Sequence, residues 1–222
     1  MQNGSFEASG GAGTQTFTSW TAIDQAGGSG GFFVQTGTSF PLDGFTVPTS
    51  PQDSFAAMAD QLGPGSHMLI QSFVVPTGVT SATLSFQLSM SNQADAFHTP
   101  GSLDYTAGQN QQFRADIITS TANPFSVAVG DVLQSVYQTQ PGDPSVSGYN
   151  LITADLTSLL AADAGQTLTL RFAQVETVFF FNTGVDAVSL SANTVVPEPA
   201  SMALLGTGLL GLDLVRHRRK AA

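Results

Sequence analysis

The chain has 222 residues, 41% of them hydrophobic and only 10% charged, enough to bury one sizeable core and too apolar for a disordered segment. Six Lys and Arg against 16 Asp and Glu give a formal charge of −10, which repels phosphate backbones and argues against a nucleic-acid partner. The absence of cysteine excludes a disulfide framework, a thiolate nucleophile and a thiolate zinc site.

The chain opens Met1-Gln2-Asn3-Gly4-Ser5-Phe6-Glu7, with neither a basic n-region nor an apolar h-region, so the start is expected to be mis-assigned or trimmed of a leader. The first 65 residues are rich in Gly, Ser and Thr and predict long loops with a few short strands. Gly27-Gly28-Ser29-Gly30-Gly31 formally fits a nucleophile elbow, but without a strand-to-helix context it reads as a loose loop. Beyond it, strands are expected over 68–75 and over 82–88, where Ala82, Leu84, Phe86 and Leu88 alternate with polar residues. Phe113, Ala115 and Ile117 alternate with Arg114 and Asp116, and Leu168, Leu170 and Phe172 with Thr167, Thr169 and Arg171. Further strands are expected over 132–139, 148–156 and 185–191, with one short helix over 156–164 capped by Asp155 or Thr157. Gly/Pro turns separate these segments, and many strands with one wet face predict an all-β antiparallel sandwich or jelly roll over residues 1–192.

Asn3-Gly4-Ser5-Phe6-Glu7, Trp20, Asp53-Ser54-Phe55-Ala56-Ala57, Leu69-Ile70-Gln71-Ser72-Phe73 and Val185-Asp186-Ala187-Val188-Ser189-Leu190 together resemble exported jelly-roll domains related to carbohydrate-binding modules and galactose-binding-like domains. The resemblance implies that Glu7 and Asp186 hold a structural calcium, completed by backbone carbonyls and Asp53. By its parity with Val188 and Leu190, Asp186 leans toward the apolar face unless a bulge intervenes.

Sugar binding needs an aromatic face and polar groups for hydroxyls, which nominates Trp20 and Tyr105, with Tyr137 and Tyr149 behind them. Asn92, Gln93, Asp95, His98 and the run Gln109-Asn110-Gln111-Gln112 supply polarity, the run reading as a solvated loop. His67 and His98 have no metal-ligand spacing and read as solvated. Phe179-Phe180-Phe181 cannot all face one side of a strand, so one ring should reach a second face or an interface. No catalytic motif stands out, and the expectation is a noncatalytic polysaccharide-associated or structural protein; a glycoside-acting enzyme with a carboxylate pair remains the alternative, because folding sets that separation.

Four of the six basic residues are Arg216, Arg218, Arg219 and Lys220, leaving residues 1–196 with two arginines against fourteen acids. Ahead of them, residues 200–215 are Leu/Gly-rich with Asp213 as the single charge, about 24 Å of helix, a little short of a bilayer core of about 30 Å. By the positive-inside rule the basic tip (216–222) stays cytoplasmic and the body lies outside. The linker 193–199 contains Val196-Pro197-Glu198-Pro199, held extended by its prolines. Together these resemble the PEP-CTERM sorting signal, which implies transient anchoring in the inner membrane of a Gram-negative bacterium, cleavage by an exosortase, and release to the cell surface or biofilm matrix. Asp213 interrupts the apolar run usual in that family.

Overall fold

The computed structural model describes residues 1–195, so the Val196–Pro199 motif, the hydrophobic segment 200–215 and the basic tip lie outside the described residues. In chain order the elements are β1 (Thr21–Asp24), β2 (Gly31–Thr36), β3 (Phe55–Asp60), β4 (Gly65–Val74), β5 (Val79–Asn92), β6 (Gln111–Thr119), β7 (Val132–Gln138), β8 (Val146–Asp155), α1 (Thr157–Ala162), β9 (Thr167–Glu176) and β10 (Phe181–Thr194). They form two five-stranded sheets, ordered β1-β4-β9-β6-β7 and β2-β3-β10-β5-β8, and every pairing is antiparallel. The expected sandwich is therefore present, with β9 and β10 at the centres of the two sheets.

The alternating apolar residues of β5 and β9 meet in the core, where Phe86 packs edge-on against Phe172 with ring centroids 5.0 Å apart. Trp20 lies stacked on Phe172 at 5.8 Å and against Phe6 at 5.4 Å, and its indole N–H donates to the carbonyls of Gln2 and Asn3, both at 3.1 Å. At 5% exposure Trp20 has no free face to offer a sugar; it ties the N-terminal segment to the core. The expectation of a binding tryptophan is thereby corrected, because both its ring and its polar handle are spent internally.

Arg114 and Asp116, expected on a wet face, are buried because the connection between β6 and β7 folds over the outside of their sheet. Arg114 grips Asp116 through Nε and Nη2, both at 2.7 Å. Arg171 also donates to Asp116 and to the carbonyls of Pro124 (2.7 Å) and Ser126 (2.6 Å) in that covering loop. Each arginine of the described residues is thus committed to structure.

In β10, Ala187 has a φ of +51° and the register against β5 shifts between Asp186 and Ser189. The bulge puts both Val185 and Val188 in the core, so Asp186 turns to the opposite, outer face rather than the apolar one. α1 is shorter than expected and its N-cap is Leu156; Asp155 instead accepts from the amide of Thr157 at 2.8 Å, and Thr157 Oγ1 accepts from Ala82 N at 2.9 Å. β10 also runs two residues beyond the expected body boundary, pairing Asn193 with Ser81 and Thr194 with Val79.

Candidate functional site

At one end of the sandwich the core-facing register turns polar. Gln174 and Glu176 continue the inward positions of Leu168, Leu170 and Phe172 along β9, while Asp24 of β1 sits directly opposite His67 of β4. His67 is fully buried, with Nδ1 2.8 Å from Asp24 Oδ1 and Nε2 2.8 Å from Glu176 Oε1. Gly65 makes the room: a Cβ there would stand 2.6 Å from His67 Nε2. Burial alone would discharge the ring, but Glu176 and Asp24 on its two nitrogens outweigh it and lift His67 to about 9. Burial pushes Glu176 up to about 7, held from rising further by His67 and by Gln174 Nε2, which donates to Oε2 at 3.0 Å.

Glu176 lines a cleft of about 170 Å³ between the β3–β4 and β9–β10 connections. Gln61, Leu62 and Pro64 form one wall and Val178, Phe179 and Phe180 the other. Leu62 is 63% and Phe179 55% exposed, so the mouth is apolar. Gln61 is 1% exposed, yet its Nε2 has no acceptor among the described residues. An unsatisfied buried donor costs about 1–3 kcal/mol, and Gln61 Nε2 is one of seven buried side-chain atoms without a partner among the described residues. Behind Gln61, Asp60 accepts from Asn182 Nδ2 at 2.7 Å, and the same amide group donates to Asp43 at 3.0 Å. Burial, with Asp43 alongside, raises Asp60 to about 6.

The two residues nominated for calcium come together elsewhere. Glu7 Oε1 accepts from the amides of Ser54 (2.9 Å) and Phe55 (2.7 Å); Asp186 Oδ2 accepts from Gln52 N at 2.9 Å and lies 2.7 Å from Ser50 Oγ. Ser50 Oγ is also 2.7 Å from the carbonyl of Gln52 and 2.9 Å from that of Phe55, so three oxygens crowd a hydroxyl with one proton to give. That excess of oxygen over hydrogen is what a hard cation relieves, and the donor set fits calcium chemistry. No group of three or more metal-capable side chains occurs among the described residues, so the carbonyls of Gln52 and Phe55 would have to join Glu7 and Asp186. Asn3, Phe6, Asp53 and Ala187, four of the five non-glycine residues with positive φ, belong to the three segments that meet here. Such strain persists only where the surroundings impose it. Asp53 itself is exposed; its turn presents the Ser54 and Phe55 amides to Glu7.

The remaining nominated aromatics stand apart from the cleft wall. Tyr105 is half-buried and its hydroxyl donates to the carbonyl of Ala26 at 3.2 Å, pinning the β1–β2 connection. Tyr137 contacts Met90 Sδ at 3.8 Å, and burial raises the phenol of Tyr149. Asn110, Gln111 and Gln112 are buried rather than solvated: Gln111 Nε2 donates to Asn92 Oδ1 (2.9 Å) and to the carbonyl of Phe179 (2.8 Å). Of the phenylalanine triplet, Phe181 enters the core against Phe97, while Phe179 and Phe180 meet edge-on at the cleft. The sequence reading missed His67, Glu176 and Gln61. Glu176 could have been found from its inward register after Phe172; nothing in the local pattern marks Gln61.

The fold has solved counterparts. The chain is similar to the Stig cyclase Fisc from Fischerella sp. TAU, crystallised with (3Z)-3-(1-methyl-2-pyrrolidinylidene)-3H-indole, at 12% identity and a TM-score of 0.51 over 88% of this chain and 97% of that one. It is similar to TmCBM61 in complex with β-1,4-galactotriose, at 12% identity and a TM-score of 0.48 over 87% and 97%. It also resembles the enzymatically active domain of tailspike protein 4 of bacteriophage CBA120, at 12% identity and a TM-score of 0.49, covering 87% of this chain but spanning only 21% of the tailspike chain. No curated protein sequence matches the chain. The body is an antiparallel β-sandwich, a fold it shares with that cyclase, and the fold alone does not fix what the protein does. Residues 195–220 match the PEP-CTERM protein-sorting motif, as the tail resemblance implies. The motif implies export, with C-terminal membrane anchoring and processing by an exosortase.

Proposed function

We propose that the protein is a noncatalytic, polysaccharide-associated component of the cell surface or extracellular matrix of a Gram-negative bacterium, and that its ligand site is the cleft between Gln61 and Phe179. The observation that carries this reading is the exposed apolar wall that Leu62 and Phe179 present at the mouth of the cleft, with Phe180 beside them. A sugar ring offers its C–H face to such a wall. The cleft is smaller than the roughly 300–1,000 Å³ typical of drug-sized ligands, so it suits a single ring or a chain end.

The noncatalytic part of the reading is supported by the state of Glu176. Each of its oxygens is already held, one by His67 and the other by Gln174, and its nearest carboxylate partner, Asp24, lies on the far side of the imidazole. A hydrolytic pair needs two carboxylates facing one bond. Calcium held by Glu7 and Asp186 would supply fixed positive charge binding the 50–55 turn to β10, a structural rather than catalytic service.

Affinity electrophoresis of the full-length protein through gels carrying different polysaccharides tests the reading. Retardation in at least one gel, lost in Phe179→Ala, is the expected result. Free migration in every gel, or release of reducing ends from a retarding polymer, would overturn it.

A further inference from the structure

We propose that the end of the sandwich opposite the cleft is a membrane-facing surface. While the tail anchors the chain, the protein stands on the lipid headgroups on its β4–β5 connection and holds the cleft about 40 Å above them. The inference rests on the C-terminal anchoring that the sorting motif implies, and adds to it which surface meets the lipid.

The direction of β10 sets this arrangement. Its first residue, Phe181, follows the cleft wall of Val178, Phe179 and Phe180, and its last, Thr194, precedes the sorting motif at 195–220. A bulged strand of 14 residues, at about 3.3 Å per residue, therefore separates the cleft from the tail by roughly 40 Å. The pairing holds to the last described residue, where Val195 N donates to the carbonyl of Gly78 at 2.8 Å in the β4–β5 connection. Only residues 196–199 lie between that bond and the hydrophobic segment 200–215, a reach of at most about 18 Å. The headgroup layer takes up about 5–8 Å of it, so even a fully extended linker leaves roughly 10 Å of slack. The surface held this close to lipid is apolar at its rim, with Val74 and Val195 exposed and Val129 fully so. Strand pairing puts Val74 and Val129 at this one end: Val74 pairs with Thr167, Leu168 with Thr119, and Thr119 N donates to Asp131 O beside the Val129–Val132 bridge. Charge points the same way. Asp24, Asp43, Asp60, Asp95, Asp104 and Glu176 gather toward the cleft end, against Asp131, Asp155 and Asp163 at the other. Even with His67 counted, an anionic lipid surface repels the cleft end more strongly. The cleft consequently stays open to a polymer outside the cell while the tail is intact, and capture does not wait for release.

The test uses the full chain reconstituted through its tail in vesicles of phosphatidylethanolamine and phosphatidylglycerol, with a spin label on the lipid headgroup as quencher. Because the chain has no cysteine, the single substitutions Val74→Cys, Val129→Cys and Leu62→Cys each take an environment-sensitive dye at a chosen end. All three side chains are exposed, so the fold tolerates the changes. Dyes at 74 and 129 should be quenched several-fold more strongly than the dye at 62. Equal quenching at the three positions, stronger quenching at 62, or no quenching at 74 and 129 in vesicle-bound protein would overturn the assignment. A dye at 74 or 129 that is shielded before vesicles are added, and indifferent to the quencher, would mean that a second copy of the chain covers this end, and would overturn it too. Flotation on a density gradient tests the anchoring reading separately. A chain that does not float with the vesicles removes that reading and the footing with it, whereas a chain that floats without the expected quenching loses the footing alone.

Discussion

His67 and Glu176, 109 positions apart in the chain, meet at 2.8 Å inside the sandwich, with Asp24 on the other nitrogen of the ring. A fully buried imidazole between two carboxylates is protonated in the native state, and its pKa of about 9 lies above the ordinary 6.5. The native state therefore binds this proton more tightly than the unfolded chain, so the stabilisation is complete below pH 6.5 and is lost as pH rises through about 9. Glu176, raised from 4.5 to about 7, acts in the same sense between those values. The urea midpoint should fall steadily from pH 6 to 9.5, and His67→Gln should flatten the upper part of that profile. A midpoint that stays constant between pH 7 and 9.5 in the parent protein would mean that the native ring is neutral.

Trp20→Ala should act on stability and not on ligand binding. The indole is 5% exposed and packed between Phe6 and Phe172, so its removal opens a core cavity and frees two carbonyls, at a cost of about 3–5 kcal/mol. Denaturant unfolding checks the cost. Loss of polysaccharide retention by a protein of undiminished stability would restore Trp20 as a binding residue.

Phe179→Ala should do the reverse. The side chain is 55% exposed, so the change in unfolding free energy should stay within about 0.5 kcal/mol. Sugar affinity should fall several-fold, as the loss of one aromatic contact of about 1 kcal/mol predicts. Titration and thermal melting of the same sample separate the two effects.

If calcium joins Glu7 and Asp186, the melting temperature should drop by several degrees when chelator replaces millimolar calcium. Saturation to about a hundred times Kd stabilises by about 2.7 kcal/mol, and a chain of this length shifts about 2–4 °C per kcal/mol. Asp186→Asn should abolish the difference. Identical melting curves in calcium and chelator would leave the cluster as a purely hydrogen-bonded joint between the N-terminal segment, the 50–55 turn and β10.

The strands of the sandwich are legible where one sheet face is buried and the other wet, as in β5, whose period of two survives from Ala82 to Leu88. Legibility fails where a loop covers the second face. Arg114 and Asp116 carry the signature of solvent exposure, yet the 120–131 connection buries them as a salt-bridged pair. It fails again at a bulge, since one extra residue at Ala187 reverses the face of Asp186 without any mark in the hydrophobic pattern. The cleft was half legible: Glu176 sits in an inward register, but His67 falls just before the expected start of its strand at residue 68. Gln61 becomes a neighbour of Phe180, and Asp60 of Asn182, only through pairings across more than a hundred residues. Side-chain chemistry gathered from distant strands has no local period to betray it.

The last two strands of the described residues, β9 and β10, occupy the middle of their respective sheets. Everything translated earlier consists of flanks awaiting a keystone, so one sheet cannot close before Glu176 is made and the other not before β10. The sandwich as a whole is therefore completed only in the last strand before the sorting motif.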